Sequence, residues 1–231
     1  MIPFSDAAKR LPPMNSLDCD YLASRAAVAA ELTPAPNLFT LGLDLGKAQD
    51  FSALCIIERH GQAPAWQHQV RHLHRWPLGT SYPDIIRDLA ALVSRVPGRP
   101  ENIGLAVDVT GVGLGVYDFI RQAQLPVKHV PILIVSGRAI TQDERGVHHV
   151  PKVELVSTMA AVLGSHRLAV AQLPLAAVLR HELSTFTVKV TAAGNETYEA
   201  WRERDHDDVV LAAAMAVYVG ERQRRRPAIH C

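Results

Sequence analysis

Two strand-like segments each carry an aspartate near the end of an otherwise apolar run. They are LFTLGLDL, which contains Asp44, and NIGLAVDV, which contains Asp108. Because successive side chains of a strand point to opposite faces, Asp44 shares its face with Gly42, and Asp108 shares its face with Ala106. Burial of an unpaired carboxylate is costly. We therefore expect a cation, a hydrogen-bonding loop or solvent beside each aspartate, on a face that another element can approach closely.

The pattern of apolar residues predicts a mixed α/β fold. Three strand-like runs with short connections open the main part of the chain and predict an antiparallel meander. Strands then alternate with helices, which favours a mixed sheet with helices on both faces and an extra β-hairpin. The predicted strands cover 38–45, 52–59, 67–76, 102–109, 128–135 and 167–171, the helices cover 81–96, 111–124, 151–166, 174–186 and 206–223, and the hairpin covers 185–201.

Length and composition predict one main domain in a chain of 231 residues. We expect an N-terminal extension and linker at 1–37, with a short helix over 17–31, then the domain at 38–220 and a basic tail at 221–231. The three widely spaced cysteines indicate a reducing compartment rather than a disulfide framework or a zinc site. With a net charge of +1 and no long apolar run, the chain is expected to be soluble and cytoplasmic, and any nucleic-acid binding must come from local patches.

The last predicted helix supplies further acids. Asp208 lies on the same helical face as Ala212 and Ala216, whose small side chains would let the helix approach the small residues of the strands. Asp207 and Asp208 would then lie beside Asp44 and Asp108. Clustered carboxylates raise one another's pKa values, and a hard divalent cation such as Mg²⁺ or Mn²⁺ relieves that repulsion. Two such ions about 4 Å apart can activate water and stabilise the leaving oxygen in phosphodiester cleavage.

Each acid also has an ordinary structural interpretation. Asp207 and Asp208 at a helix start are typical of helix capping. Asp44, two residues before Gly46, is typical of a strand-end turn, and Asp108 could cap the helix that follows. The joint pattern of acids at two strand ends and one helix start, each beside small residues, is what favours a shared site.

Four segments together resemble the nuclease domain of tailed-phage terminase large subunits. They are LGLDLGKAQDFSALCIIE, AVDVTGVGLGVYDFI, VPKVELVSTMAAVLGSHRLAVA and HDDVVLAAAMAVY. The resemblance implies a ribonuclease H-like fold and an endonuclease that cuts concatemeric viral DNA during genome packaging. It also implies that the catalytic, metal-binding acids are Asp44, Asp108 and the pair Asp207/Asp208. Asp208 is favoured within the pair because its helical face holds more alanine.

The resemblance also implies partners: double-stranded DNA, the terminase small subunit, the portal and a separate packaging ATPase, in the cytoplasm of a bacterial host. Intact large terminases place an ATPase ahead of the nuclease. Here 37 residues precede the first strand, and the chain has no G-x-x-x-x-G-K-[ST] motif. We therefore expect no ATPase activity, and interpret the chain as an excised domain, a split gene or a prophage remnant.

Further residues are candidates for supporting roles. His206 beside the acids could assist a metal-bound water or bind a metal, or be a hydrogen-bonding neighbour. The candidate DNA contacts are Lys152, Lys189, Arg224 and Arg225, for which solvated surface positions are the ordinary alternative. Because the chain shows no base-reading module, we expect weak cleavage with little sequence preference.

Three other functions stay open at this stage. The first is another ribonuclease H-like nuclease, of the Holliday-junction resolvase type. The second is an actin/sugar-kinase-like nucleotide binder, because DLGKAQDFSA and DVTGVGLG are similar to its phosphate loops. The third is a catalytically silent DNA-binding or structural relic.

Overall fold

The computed structural model describes residues 38–46, 50–61, 66–192 and 207–222, of which 185–192 are described by their backbone only. The predicted N-terminal helix and linker, most of the predicted tail, His206, Arg224 and Arg225 lie outside the described residues. The division of the chain into extension, domain and tail stays a prediction.

The described residues contain eight strands and five helices. The strands are β1 (Leu38–Asp44), β2 (Ala53–His60), β3 (Gln67–Arg75), β4 (Ile103–Asp108), β5 (Lys128–Val135), β6 (Thr141–Gln142), β7 (His148–Pro151) and β8 (Leu168–Val170). The helices are α1 (Tyr82–Val93), α2 (Gly113–Gln122), α3 (Lys152–Gly164), α4 (Ala176–Ala192) and α5 (Asp208–Arg222), with a short 3₁₀ turn at Pro100–Asn102. None of the helices in these ranges is long and apolar enough to cross a membrane.

All eight strands form one mixed sheet in the order β6-β7-β5-β4-β1-β2-β3-β8. The predicted meander is confirmed, since β1 pairs antiparallel with β2 and β2 pairs antiparallel with β3. On its other side β1 pairs parallel with β4, and β4 pairs parallel with β5. The carboxyl ends of β1, β4 and β5 therefore meet at one edge of the sheet.

Helices cover both faces of the sheet, as predicted. Alternation along β1 sends Leu41 and Leu43 into a core shared with α1 and α2. The opposite face, with Ala106 of β4, packs against α3, α4 and α5. Each face of the central strands is therefore covered, which explains why β1 and β4 are buried along their whole length.

Helix α5 lies against β1 at very close range. A Cβ atom placed on Gly42 would lie 2.0 Å from the carbonyl oxygen of Ala212, and one placed on Gly220 would lie 3.3 Å from Thr40 Oγ1. The helix therefore runs antiparallel to β1. Every residue from Asp208 to Gly220 is buried, so α5 is enclosed on all sides. Glycine and alanine at the crossing are what permit this approach.

The structure corrects two predictions about secondary structure. The first strand of the predicted hairpin at 185–201 is wrong: α4 continues to Ala192, and the second half lies outside the described residues. The alternating β-branched residues there favoured a strand, but this preference is weak beside continuation of a helix already anchored by buried Leu179 and Leu183. Strand β7, which contains His148 and His149 and pairs with β5, is absent from the strands predicted from the sequence. Four residues give too little alternation to reveal a strand.

Candidate active site

The aspartates of β1 and β4 lie side by side at the carboxyl edge of the sheet. The parallel register pairs Leu43 with Val107, so the next residues, Asp44 and Asp108, occupy equivalent positions on adjacent strands. Neighbouring strands are about 4.8 Å apart. Both side chains point to the face covered by α5, because their neighbours in sequence, Leu43 and Val107, point into the opposite core. The register therefore places these two acids on one face and at one edge of the sheet, and their role as site residues stays a prediction.

The register between β1 and α5 brings Asp208 to the same level. Asp44 lies two strand residues beyond Gly42, a rise of about 6.6 Å. Asp208 lies four helical residues before Ala212, a rise of about 6 Å in the same direction, since the two elements are antiparallel. The contact between Gly42 and Ala212 therefore places the first residue of α5 over the end of β1.

The three aspartates are buried and interact electrostatically. As whole residues, Asp44, Asp108 and Asp208 are 6–8% exposed. Burial, followed by the negative charges of Asp108, Asp208 and Asp207, raises the pKa of Asp44 well above its usual range. The positive charge of Lys152 acts in the opposite direction. A cation that approached this edge would therefore be attracted by several carboxylates at once.

Lys152 and Asp207 form an ion pair at the rim of the cluster. Lys152 Nζ lies 3.4 Å from Asp207 Oδ2, with the side chains 17% and 35% exposed respectively. Lys152, at the start of α3, therefore lies beside the acids and is not a fully solvated surface lysine. Asp208 is the more buried member of the acidic pair, and its preference as the metal ligand stays a prediction.

A fourth buried acid, Glu182 of α4, was missed by the sequence analysis. Its Oε2 accepts a hydrogen bond of 2.8 Å from the backbone N–H of Val210, and its Oε1 lies 3.9 Å from Arg75 Nη1. Burial raises the pKa of Glu182 to about 7, helped by the charges of Asp208 and Asp207 and opposed by the Val210 hydrogen bond and Arg75. Its helical spacing from buried Leu179 and Leu183 was the available signal, because that spacing puts an acid on a buried face.

The structure bears on the ordinary interpretations of the acids. Asp108 Oδ1 accepts a 2.8 Å hydrogen bond from Thr110 N–H, which stabilises the turn after β4, whereas the N-cap residue of α2 is Val112, whose apolar side chain cannot cap the helix. In the turn after β1, the amide of Gly46 donates to Ser52 Oγ. At the start of α5, the Val210 amide is capped by Glu182 from another helix. The carboxylate of Asp208 is therefore not what caps that amide.

The other predicted DNA contacts lie partly or wholly outside the described residues. Lys189 belongs to α4, and its side chain is outside the described part of the chain. Arg222, in the predicted basic tail, forms an ion pair of 3.4 Å with Glu154 and lies over the ring of Tyr218. A role in DNA binding for Lys152, Lys189, Arg224 and Arg225, and an auxiliary role for His206, stay predictions.

The acids fit a divalent cation by chemistry and charge. Carboxylate oxygens are the ligands that Mg²⁺ and Mn²⁺ prefer, and a buried carboxylate with a raised pKa gains from a neighbouring cation. Within the described ranges, however, no group of three histidine, cysteine, aspartate or glutamate side chains is arranged to hold a metal ion. The carboxylates would have to turn toward one another to share an ion.

Comparison of the sequence with curated proteins finds similarity to a phage protein. No family model matches the chain. The chain is 26% identical over 183 residues, 78% of its length, to the terminase large subunit of Thermus phage G20c. That match spans 31% of the phage protein, so the chain corresponds to about a third of its length.

Solved structures share the fold. The large terminase nuclease of thermophilic phage G20c superposes with a TM-score of 0.50 at 17% identity, covering 78% of this chain and 81% of that one. The human cytomegalovirus terminase nuclease domain, Mn soaked and inhibitor bound, gives 0.51 at 13% identity, covering 91% and 89%. The expectation drawn from the sequence motifs is therefore confirmed: the chain has a ribonuclease H-like fold, and it resembles the nuclease domain of terminase large subunits in sequence and in structure.

Proposed function

We propose that the chain is a metal-dependent endonuclease of the phage terminase type, which hydrolyses phosphodiester bonds of concatemeric viral DNA during genome packaging. The observation that carries the proposal is the convergence of Asp44, Asp108 and Asp208, from two strands and one helix, on one edge of the sheet. The likeness to terminase nuclease domains supports the same chemistry.

In this proposal the three aspartates hold two Mg²⁺ or Mn²⁺ ions. Such ions, when bound, activate a water molecule and stabilise the charge that develops on the phosphate. Asp44 and Asp108 present their carboxylates from rigid, fully buried strands, which limits their freedom to the side-chain torsions. Asp208 faces them from the first turn of α5, where the helix dipole stabilises a negative charge. Asp207, paired with Lys152, contributes further negative charge at the rim.

The proposal extends to partners. The substrate is double-stranded DNA, and the terminase small subunit, the portal and a packaging ATPase on a separate chain or segment would supply targeting and translocation. Such a role places the protein in the cytoplasm of the bacterial host. Because targeting would come from these partners, the isolated chain should cut with little sequence preference.

A plasmid-nicking assay tests the proposal. The purified chain is incubated with supercoiled plasmid and Mg²⁺ or Mn²⁺, and the nicked and linear forms are quantified by gel electrophoresis. We expect cleavage that depends on the metal, stops with EDTA, and is lost in Asp44→Asn and Asp108→Asn variants whose circular dichroism matches wild type. Cleavage by the aspartate variants at the wild-type rate, or equal cleavage in EDTA, would refute it. ATP binding without nicking would favour the nucleotide-binding alternative.

A further inference from the structure

Glu182 occupies a position that links α4 to the candidate active site without itself belonging to the aspartate cluster. Its side chain is 5% exposed, and both carboxylate oxygens face groups from other elements: Oε2 the amide of Val210 in α5, and Oε1 the guanidinium of Arg75 at the end of β3. Oε2 accepts a hydrogen bond from the α5 amide of Val210, whereas Oε1 makes a long ion-pair contact with Arg75, beyond hydrogen-bond distance. The carboxylate is therefore placed to hold the start of α5 in position.

What Glu182 contacts is the first turn of the helix that carries Asp208. The carbonyl oxygen of Asp207 accepts from Leu211 N–H, so Asp207 is the N-cap residue immediately before α5, and Val210 is the third residue of the helix. The first four N–H groups of a helix have no partner within the helix. Here one of them is satisfied by a side chain from α4, which ties the start of α5 to a second helix.

Arg75 belongs to the same row of the sheet as the aspartates. The register pairs Asp44 with Ala53, and Ala53 with Arg75. Residues paired across a sheet point to the same face, so Arg75 points toward α4 and α5, with the small Ala53 between it and Asp44. Its guanidinium lies 4.4 Å from the centre of the Phe51 ring. The positive charge of Arg75 stabilises the ionised Glu182 and so acts against the negative charges of Asp208 and Asp207.

We propose that Glu182, oriented by Arg75, is a positioning residue that fixes the first turn of α5 and thereby sets the carboxylate of Asp208 opposite Asp44 and Asp108. The inference rests on the proposed metal-dependent nuclease function. It assigns the pair a role in metal affinity that works through the hydrogen bond to Val210 and not through direct ligation.

The test uses three variants of Glu182 in the full chain. Glu182→Gln keeps an oxygen that accepts from Val210 N–H but removes the charge. Glu182→Asp keeps the charge but is one methylene group too short to reach that amide. Glu182→Ala removes both. Mn²⁺ affinity is measured by electron paramagnetic resonance titration of the metal-free protein, hydrogen exchange of the Val210 amide by NMR, and folding by thermal melts.

We expect Glu182→Ala and Glu182→Asp to weaken Mn²⁺ binding about 10- to 100-fold, the range typical of residues that orient metal ligands, and to speed exchange of the Val210 amide. Glu182→Gln should stay close to wild type in both. The concentration of Mn²⁺ needed for half-maximal nicking should rise in parallel with the binding constant. If Glu182→Ala does not fold, the Gln and Asp variants decide the question by themselves.

Glu58 supplies a matched control. It is another buried carboxylate paired with an arginine of β3, with Oε2 3.5 Å from Arg71 Nε and side chains 5% and 9% exposed. It lies five residues along β2 from Ala53, about 16 Å from the aspartate row. Glu58→Ala should lower stability and leave Mn²⁺ affinity unchanged.

Specific outcomes would overturn the inference. If folded Glu182→Asp bound Mn²⁺ with wild-type affinity, the reach of this carboxylate to the Val210 amide would not matter for metal binding. Weak binding in Glu182→Gln with the Val210 amide still protected would show that the charge acts directly. A wild-type chain that neither binds Mn²⁺ nor nicks DNA would overturn the proposed function and the inference with it, whereas an active wild type with indifferent Glu182 variants would overturn the inference alone.

Discussion

Substitution of Gly42 by alanine is the sharpest test of how the site is assembled. The added Cβ would lie 2.0 Å from Ala212 O, 2.9 Å from Ala212 C and 3.0 Å from Ala216 N, all of them backbone atoms that cannot rotate away. Ordinary contact begins at 3.4 Å, so β1 and α5 would have to separate by about 1.4 Å, the difference between this distance and 2.0 Å.

The magnitude follows from that separation. Overpacking of a core costs about 1–3 kcal/mol, and the upper end applies because backbone lies on both sides of the contact. A loss of about 3 kcal/mol corresponds to a fall of roughly 6–12 °C in Tm for a domain of this size. The displaced helix would carry Asp208 away from Asp44. A misplacement of about 1 Å can cost about 100-fold in rate, so metal-dependent nicking should fall by about that factor even where the variant is folded.

Gly115 in α2 is the matched control. Among the described residues, no atom outside its own stretch of helix lies within 4 Å of a Cβ placed there, and alanine is a better helix former than glycine by about 1 kcal/mol. Gly115→Ala should therefore stabilise the domain slightly and leave nicking unchanged. Urea unfolding followed by circular dichroism, with nicking rates measured below the transition, compares the two variants. The described packing of α5 on β1 would be refuted if the free energy of unfolding of Gly42→Ala lay within roughly 0.5 kcal/mol of the wild-type value, the scatter of surface substitutions.

Three further predictions concern charge. The pKa of Asp44 is raised in the folded state. Ionisation of Asp44 therefore destabilises the metal-free protein as the pH rises above about 4, the pKa of an aspartate in an unfolded chain. In EDTA, the urea midpoint of Asp44→Asn should be higher than that of wild type at pH 7 and equal to it near pH 3. Millimolar Mn²⁺ should raise the Tm of wild type, since a ligand that binds the folded state stabilises it, and a similar rise in Asp44→Asn would contradict a site that includes Asp44. Lys152 lowers the pKa of Asp44, so Lys152→Met should move the acidic limb of the pH–nicking profile to higher pH, and an unshifted limb would show that this lysine does not act on the site.

The part of the site that could be predicted from the sequence is the part governed by local periodicity. Strand alternation puts Asp44 on the face of Gly42, and Asp108 on the face of Ala106, whatever the rest of the chain does. The alanines of α5 indicated close packing on those faces, and the structure confirms it at Ala212. These elements could be predicted because their apolar residues alternate, or recur at helical spacing, over a long enough stretch of sequence.

The remainder depends on contacts between distant segments. The capping of Val210 by Glu182 joins residues 28 positions apart, and the Lys152–Asp207 pair joins residues 55 positions apart. No local pattern encodes such partners, because their meeting depends on how α3 and α4 pack around α5. Strand β7 was missed for a different reason: it is four residues long.

The far end of α5 is also fixed. Glu221 binds Arg167 through both carboxylate oxygens, at 2.9 and 3.2 Å, and lies 2.5 Å from His68 Nε2. The helix is therefore held at its two ends and buried from Asp208 to Gly220. In the proposed function, a chain whose α5 has not docked on the sheet has Asp44 and Asp108 in place but lacks Asp208 beside them. A newly made or partly unfolded molecule would thus be harmless to DNA, and cutting competence would arise together with the finished fold.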